Sequence, residues 1–175
     1  MSLTDAAIAA DVAPAGLKFV ERVAGDVRYP LPPHRSPASC LDEHGRFDSE
    51  PDEIADVDDP DMPAKVNAGW WRMATEFGLF DERREFLLGV DYRDPDAVDP
   101  EHAWVRVRLA DEWDLAGSGS TVLRSYLGAH FTKRFVPEFT MLSLDHQMLL
   151  NTTVWGNGTV STIVIRPDRI TESAR

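Results

Sequence analysis

The sequence predicts an α+β domain in which N-terminal and central helices pack on one face of a curved antiparallel sheet, formed largely by the C-terminal third. Two observations support this prediction. An apolar stripe of helical spacing occupies residues 64–80, and three alternating runs lie between residues 135 and 166. Helices followed by antiparallel strands are typical of α+β folds. With 175 residues, the chain fits a single domain, 1–175.

The N-terminal region is predicted to form two short helices. Ser2 and Asp5 have the spacing of a capping box, and the first helix is expected to run to Asp11. Pro14 and Gly16 then interrupt the helical pattern. A second short helix would present one apolar face, made by Leu17, Val20 and Val23.

Residues 29–63 differ in composition from the rest and are predicted to be an acidic, proline-rich arm or long loop. They hold seven of the twelve prolines. Residues 42–61 contain ten acidic side chains against Arg46 alone, so they contribute −9 of the net charge of −12. Because loops of this length are unusual inside a compact domain, the arm is expected either to lie ordered over another surface or to be mobile.

The central region predicts one long helix over residues 64–80. Consecutive residues of a helix diverge by about 100°, so only one of Trp70 and Trp71 belongs to its buried stripe. Trp71 is therefore left for a second contact within the chain, with a ligand or with a partner. The buried stripe consists of Val66, Trp70, Met73, Phe77 and Phe80.

Two strands and another helix are predicted next. Residues 86–92 and 103–109 are the strands, and Ser120 is expected to cap a helix that ends near Phe131. That helix would bury Val122, Leu123, Tyr126 and Leu127. Alternation in the second strand places Val105, Val107 and Leu109 on one face and Trp104, Arg106 and Arg108 on the other.

The last three strands are predicted at residues 135–144, 147–155 and 159–166. Asn157-Gly158 indicates a type I′ hairpin turn, which places Trp155 opposite Val160 and Thr153 opposite Thr162. With this register, one face of the hairpin collects Met148, Leu150, Thr152, Val154, Ile163 and Ile165.

Composition excludes several classes of function. The chain has no glycine-rich phosphate loop, zinc-protease motif or serine-hydrolase motif, and its histidines are too scattered to indicate metal ligands. No metal and no cofactor are therefore predicted. Cys40 is the only cysteine, which fits a reducing compartment. The acidic net charge disfavours nucleic acid and anionic membranes as partners.

Localisation is predicted as cytoplasmic, because neither a signal-like N-terminus nor a long apolar run is found. Only three of the eighteen basic residues are lysines. Together with the many alanines, this bias is typical of proteins from GC-rich bacterial genomes.

Catalytic candidates are few, and each has a simpler structural interpretation. His130 could act as a general base in a cavity, but a histidine at a helix end more often satisfies carbonyl groups or the helix dipole. Asp145 and His146 are neighbours near a strand end and point to opposite faces, so a hydrogen-bonded turn is favoured for them.

The candidate binding residues centre on one strand face. His102, Trp104, Arg106 and Arg108 could hold a carboxylate or phosphate group, or form a protein interface. The simpler interpretation is a solvated face whose charges pair with the acidic arm. Outside that strand, the further binding candidates are Trp71 and Trp155.

Two classes of function remain open. The first is a non-enzymatic interaction or accessory protein that uses the acidic arm and outward-facing Trp and Arg residues, through a protein partner or self-association. The second is a small-molecule-binding domain or a cofactor-independent isomerase, cyclase or lyase, with a pocket between helices and curved sheet. The order of elements resembles that of the NTF2-like superfamily, which contains enzymes and plain binders, and no site residues are carried over from it.

Overall fold

The computed structural model describes residues 3–28, 54–92 and 101–165, and these form a seven-stranded antiparallel sheet with two α-helices. The helices are α1 (Asp5–Val12) and α2 (Met62–Glu76). The strands are β1 (Leu17–Arg22), β2 (Ile54–Asp56), β3 (Glu85–Tyr92), β4 (Glu101–Leu109), β5 (Phe139–Leu142), β6 (Leu149–Val154) and β7 (Thr159–Ile165). Their order across the sheet is β1-β4-β3-β5-β6-β7-β2.

The prediction of a mixed fold with an antiparallel sheet is confirmed, but the balance between the elements differs. Four of the seven strands in the described residues, β1 to β4, precede the C-terminal third, so that third contributes fewer than half of them. The three C-terminal strands are found where the alternating runs predict them, with shorter bounds.

The first predicted helix is present, and the second is replaced by a strand. Thr4 caps α1, its hydroxyl accepting from Ala7 N at 3.2 Å, whereas Ser2 lies outside the described residues. Gly16 then adopts a left-handed conformation with φ of 77° and ends the helical turn. From Leu17 onward the chain is extended and pairs with β4, because sheet pairing outweighs a weak local helical pattern.

The helix predicted from Ser120 is also absent. Its first residues are instead bound by a carboxylate of α1. Asp11 of α1 accepts from Ser120 Oγ at 2.6 Å, from Thr121 N at 3.1 Å and from Val122 N at 3.0 Å. Burial raises the pKa of Asp11, but these hydrogen bonds outweigh it and hold the pKa below its ordinary value. Two short 3-10 turns, Thr121–Leu123 and Gly128–His130, form in place of the helix.

The predicted arm ends earlier than residue 63. Residues 29–53 lie outside the described part of the chain, whereas Ile54 to Asp56 form β2 and pair with β7 at the edge of the sheet. Ala55 and Val57 are buried there. Residues 54–56 of the acidic segment, 42–61, are thus part of the sheet.

The apolar stripe predicted for residues 64–80 is confirmed in its first three residues, whereas Phe77 and Phe80 follow the end of α2 and are half-buried. Val66, Trp70 and Met73 are buried, and Trp70 is 0% exposed. The helix ends at Glu76, and Gly78 follows with φ of 75°. The buried cluster that contains Trp70 also includes side chains from both helices and six strands: Ile8, Val12, Met73, Leu17, Leu88, Val105, Met141, Leu150 and Val164 are among its members.

The β6–β7 hairpin has a different turn and register from those predicted. Trp155 N donates to Thr159 O and Gly158 N donates to Trp155 O, and of the loop residues only Gly158 has positive φ. A type I′ turn needs positive φ at two positions, so this loop is of the three-residue type. Val154 therefore pairs with Val160.

This shift exchanges the two faces of β7, because side chains alternate along a strand. The β6 residues Leu150 and Val154 lie on the predicted face. On β7, however, that face carries Val160, Thr162 and Val164, and Ile163 lies on the opposite one.

Gly158→Ala is expected to lower the free energy of unfolding by about 1 kcal/mol, because an alanine is strained at φ of 79°. Gly156→Ala in the same loop is the control, since no atom lies within 4 Å of its added methyl group. Urea denaturation measures both. Equal effects would show that backbone strain at position 158 is not limiting.

Trp70→Ala is expected to cost about 3–5 kcal/mol of stability, as large-to-small changes in a core do. Trp71→Ala, at a site that is 40% exposed, should cost about 1 kcal/mol. Chemical denaturation of both variants checks this, and comparable losses would contradict the assignment of Trp70 to the core.

Candidate functional site

The two strand-face arginines bind a buried carboxylate of the same sheet. Glu85 is 1% exposed, and its two oxygens accept from Arg106 Nε at 2.7 Å and from Arg108 Nε at 3.0 Å. Arg106 also contacts Glu21 at 3.1 Å. Both predicted binding arginines therefore have intramolecular partners on β3 and β1, and these partners are not in the acidic arm.

Strand register explains this cluster. Glu85 is the direct partner of Arg108, and a bulge between Phe19 and Glu21 turns Glu21 toward Arg106. The Arg108 and Arg106 guanidinium groups hold the pKa of Glu85 below its ordinary value. A buried carboxylate needs such partners, because an unpaired charge in a protein interior is strongly unfavourable.

His102 and Trp104 lie on the same sheet face as the arginines, as predicted. His102 Nδ1 and Asp91 Oδ1 are 2.5 Å apart, and this hydrogen bond raises the pKa of His102. The imidazole meets the indole of Trp104 edge to face, with ring centroids 5.9 Å apart. The carboxylate could orient the histidine for proton transfer, although both groups are largely solvent-exposed.

Trp104 does not have the outward exposure that the sequence suggested. It is 8% exposed and belongs to a second buried cluster with Leu87, Leu142 and Leu149. Its indole extends over Gly89, where an added methyl group would lie 3.4 Å from the ring. The indole is thus part of a packed layer on this face.

Trp71 is the exposed member of an aromatic cluster at the end of α2. Its ring stacks on Trp113 with centroids 5.6 Å apart, and the Arg84 guanidinium lies 5.8 Å from its centroid. Trp113 is held in place because Gly16 allows close approach: a methyl group there would lie 2.6 Å from Trp113 Cα. Trp71 therefore makes a second contact within the chain, as one of its predicted alternatives proposed.

Asp145 and His146 form the hydrogen-bonded turn that was favoured for them. Asp145 Oδ1 accepts from Ser143 Oγ at 2.6 Å and from Gln147 N at 3.1 Å, and the Ser143 hydrogen bond is the main cause of its lowered pKa. His146 occupies the turn with φ of 61°. Trp155, the remaining candidate, is half-buried and donates from Nε1 to Ser161 Oγ at 2.7 Å.

A surface that sequence reasoning missed lies in residues 124–137. An isolated bridge between Arg124 and Pro137 closes the two ends, and Ser125 N donates to Val136 O at 2.8 Å. Compact surface loops with adjoining ends are frequently functional. A methyl group added at Gly128 would lie 2.7 Å from Val136 Cβ, so the loop is closely packed internally.

This loop exposes apolar side chains in a segment that the sequence predicted as a helix, and two of them, Tyr126 and Leu127, were expected to be buried. Tyr126, Leu127 and Phe131 are 45%, 40% and 38% exposed, while Val122 and Leu123 are buried as expected. His130 is exposed beside them. These three are half of the six large hydrophobic side chains that are exposed in the described residues.

The loop is also basic in an acidic chain. Residues 120–137 contain two arginines, one lysine and no acidic residue, which gives +3 against −12 for the whole chain. We refer to Arg124, Tyr126, Leu127, Phe131 and Lys133 as the cationic patch. The absence of acidic residues from 120–137 is visible in the sequence. It was not interpreted as a surface from the sequence, because a partly buried helix was predicted there.

The described end of the acidic segment is held beside this loop. Arg134 donates to the carbonyl oxygens of Asp58, Asp59 and Pro60, with the Asp59 contact at 2.9 Å. Asp59 also pairs with Lys65 at 2.9 Å, and that hydrogen bond is the main cause of its lowered pKa. Residues 58–60, at the described end of the predicted arm, are therefore held against the domain by Arg134 and Lys65.

The described ranges contain neither a metal-binding cluster nor a membrane-spanning helix. Residues 3–28, 54–92 and 101–165 contain no group of three His, Cys, Asp or Glu side chains arranged to hold a metal ion. Nor does this part of the chain include a helix long and apolar enough to cross a membrane.

Comparison with known proteins found no matching family model, no similar curated protein and no similar solved structure. The resemblance in element order to the NTF2-like superfamily therefore stays a prediction.

Glu85→Gln is expected to lower the urea midpoint at pH 7, because the two arginines lose their shared carboxylate. The pKa of Glu85 is depressed from its ordinary 4.5, so its contribution is present above pH 4.5 and is lost as pH falls through the lower folded value. Glu85→Gln should therefore show a flatter loss of stability below pH 4.5 than the parent.

Glu21→Gln is the matched control, because the Glu21 side chain is 58% exposed and contacts Arg106 through Nη1 at 3.1 Å. It should leave the urea midpoint nearly unchanged. Identical pH profiles for the parent and Glu85→Gln would contradict the proposed role of the buried carboxylate.

Proposed function

We propose that the protein is a non-enzymatic interaction or accessory protein that binds a protein partner through the cationic patch. The observation that carries this proposal is the exposure of Tyr126, Leu127 and Phe131 on one internally braced loop. Contiguous exposed apolar surface on a soluble domain commonly marks an interaction site. Aromatic and arginine side chains are also those on which binding energy concentrates.

The loop is suited to binding because its base is rigid. Ser125 Oγ donates to Glu138 Oε2 at 2.8 Å and accepts from Gly128 N at 3.0 Å. Glu138 Oε1 in turn accepts from Thr153 Oγ1 at 3.0 Å, which connects the loop to β6. A braced loop loses little conformational entropy on association, so its exposed side chains contribute more to affinity.

The charge of the patch indicates the character of its partner. Arg124 and Lys133 are exposed, and no acidic side chain occurs between residues 120 and 137. The complementary surface is therefore acidic with apolar positions. Long-range attraction between opposite charges raises association rates and is screened by salt.

The acidic segment is a second candidate contact, for a basic partner surface. Six of its ten acids lie in residues 42–53, next to the described β2. The strand-face residues Arg106 and Trp104 no longer support the outward contact that the sequence suggested, since one is paired and the other is buried. This moves the proposed interface to the cationic patch.

The remaining expectations fit this proposal. Side chains of both helices join strand residues in one buried apolar cluster, which supports helices packed on one face of a curved sheet. A filled cluster at that position favours interaction over a catalytic pocket, and His130 and Asp145 are exposed on separate segments. A cytoplasmic location is consistent with the single Cys40.

Tyr126→Ala is expected to weaken capture of a stoichiometric partner from the source lysate by about tenfold or more. Val20→Ala is the control, because Val20 is 39% exposed and lies on β1, at the sheet edge opposite β2, whose following turn contacts Arg134. Both variants should keep a free energy of unfolding within about 1 kcal/mol of the parent. Once the captured partner is purified, calorimetry measures its affinity for the parent and for each variant.

The salt dependence of binding provides a second test in the same experiment. Lys133→Glu should weaken binding at about 0.1 M salt more than at about 0.5 M. Unchanged affinity in both patch variants, with loss on deletion of residues 42–53, would assign the interface to the acidic segment. Unchanged affinity in all three variants would contradict the proposed function.

A further inference from the structure

An acidic turn adjoins the cationic patch. We refer to residues 56–61 as the acidic turn, because they hold four aspartates and no basic residue. Asp56, Asp58 and Asp61 are exposed. The backbone of the turn is braced, since Asp58 N donates to Asp56 Oδ1 at 2.9 Å and Asp61 N donates to Asp59 Oδ1 at 2.8 Å. The exposed carboxylates therefore project from a defined backbone.

The acidic turn and the loop that carries the patch pack on the same small buried cluster. Arg134 of the loop also donates to three backbone carbonyl oxygens of the turn, at distances between 2.9 and 3.3 Å. Regions of opposite charge are thus fixed side by side on one surface. The buried cluster beneath them consists of Ala55, Val57, Met62, Val66, Ala116, Val136, Val154 and Val160.

The exposed ring of Phe131 brings the apolar part of the patch close to the acidic turn. A methyl group added at Gly158 would lie 3.5 Å from this ring, and the carbonyl oxygen of Gly158 accepts from Val57 N of the turn at 3.0 Å. Tyr126 and Leu127 expose further apolar surface on the same loop. Basic, apolar and acidic groups are therefore neighbours on this surface.

A surface with adjoining regions of opposite charge can be complementary to itself. When two copies meet across a two-fold axis, the basic region of each copy faces the acidic region of the other, and every contact occurs twice. The three exposed cations of the loop, Arg124, Lys133 and Arg134, then meet the three exposed aspartates of the acidic turn. Two-fold dimers are also the commonest oligomers of soluble proteins.

We propose that the partner of the cationic patch is a second copy of this chain, which binds across a two-fold axis with its acidic turn against the patch. This inference rests on the proposed function, whose interface it uses, and it names the partner. Tyr126, Leu127 and Phe131 of both copies would be buried together, with the charged groups around them. An apolar centre with a polar rim is typical of protein interfaces.

The adjoining charges favour a second copy over an unrelated acidic protein. A uniformly acidic surface that approached the patch would also face the acidic turn beside it, and like charges in contact are strongly unfavourable. A second copy avoids this repulsion, because it places its own cations, Arg124 and Lys133 among them, opposite the turn. The charge pattern of the surface thus selects a partner with the same pattern.

Analytical ultracentrifugation of the purified full chain measures the self-association. At about 0.15 M salt the Debye length is about 8 Å, so distant charges of the two acidic chains are largely screened, whereas contacting pairs are not. We expect a reversible monomer–dimer equilibrium. Tyr126→Ala and Lys133→Glu should each raise the dissociation constant of the dimer by about tenfold or more. Lys18→Glu is the matched control, because it makes the same charge change on β1, at the sheet edge opposite β2, and it should leave the dissociation constant unchanged.

Mixing two charge variants separates association from folding. Asp58→Lys should weaken the dimer as Lys133→Glu does, because each variant alone places like charges opposite one another. An equimolar mixture of the two variants should form a mixed dimer with about the affinity of the parent, since opposite charges then meet at both contacts. Misfolded variants would not recover affinity on mixing.

Three results would overturn the inference. The first is a purified chain that remains monomeric up to about 0.1 mM. The second is a dimer that Tyr126→Ala and Lys133→Glu leave intact, because its interface would then lie elsewhere. The third is a mixture of Lys133→Glu and Asp58→Lys that does not associate although both variants are folded. In each case, capture of a different protein by the parent but not by Tyr126→Ala would still support the proposed function.

Discussion

The burial of Trp70 is the interaction on which most of this structure depends. Its ring is fully buried between α2 and the sheet, and it contacts Phe80, Phe86 and Trp113 at centroid distances of 5.0–6.3 Å. Its Nε1 lies 3.2 Å from the sulfur of Met141, so even the polar end of the indole has a partner. One side chain thus joins the helix, two strands and a long loop, because aromatic residues bury more area than any others.

The opposite face of the sheet is stabilised by a different principle. Glu85 is buried and ionised, which is tolerated because Arg106 and Arg108 surround it with charge-assisted hydrogen bonds. Beside this cluster, Trp104 covers Gly89 with apolar surface. The same face therefore combines satisfied charge with one unsatisfied amide, at Asn151. In the part of the chain that the structure describes, it is the one buried side-chain nitrogen or oxygen without a hydrogen-bond partner.

The proposed function depends on the distribution of charge over two surface regions, and it does not involve a group of catalytic residues. The acidic residues concentrate in 42–61, while residues 120–137 are free of acids. Arg134 joins the two regions by binding backbone carbonyls of the turn at Asp58 to Pro60. Tyr126, Leu127 and Phe131 are exposed on the basic side of this junction. A partner with acidic and apolar character is complementary to that arrangement.

The sequence by itself determined those features that depend on local periodicity. The stripe through Val66, Trp70 and Met73 identified α2, and alternation identified β4 and the three C-terminal strands. It also placed His102 and Arg106 on one face, because side chains alternate regardless of context. Turn chemistry was correctly located at Asn157-Gly158, although not its type.

Only the tertiary structure decided what depends on contacts distant in sequence. Leu17 begins a strand because Leu109 is available to pair with it, and no helix continues after Leu123 because Arg124 pairs with Pro137. One residue of register at Val160 exchanged the faces of β7. The partner of Arg108 was equally hidden, since Glu85 approaches it only through strand pairing. Local patterns carry no information on such pairings, which the chain resolves by burying the most apolar surface with the fewest unpaired polar groups.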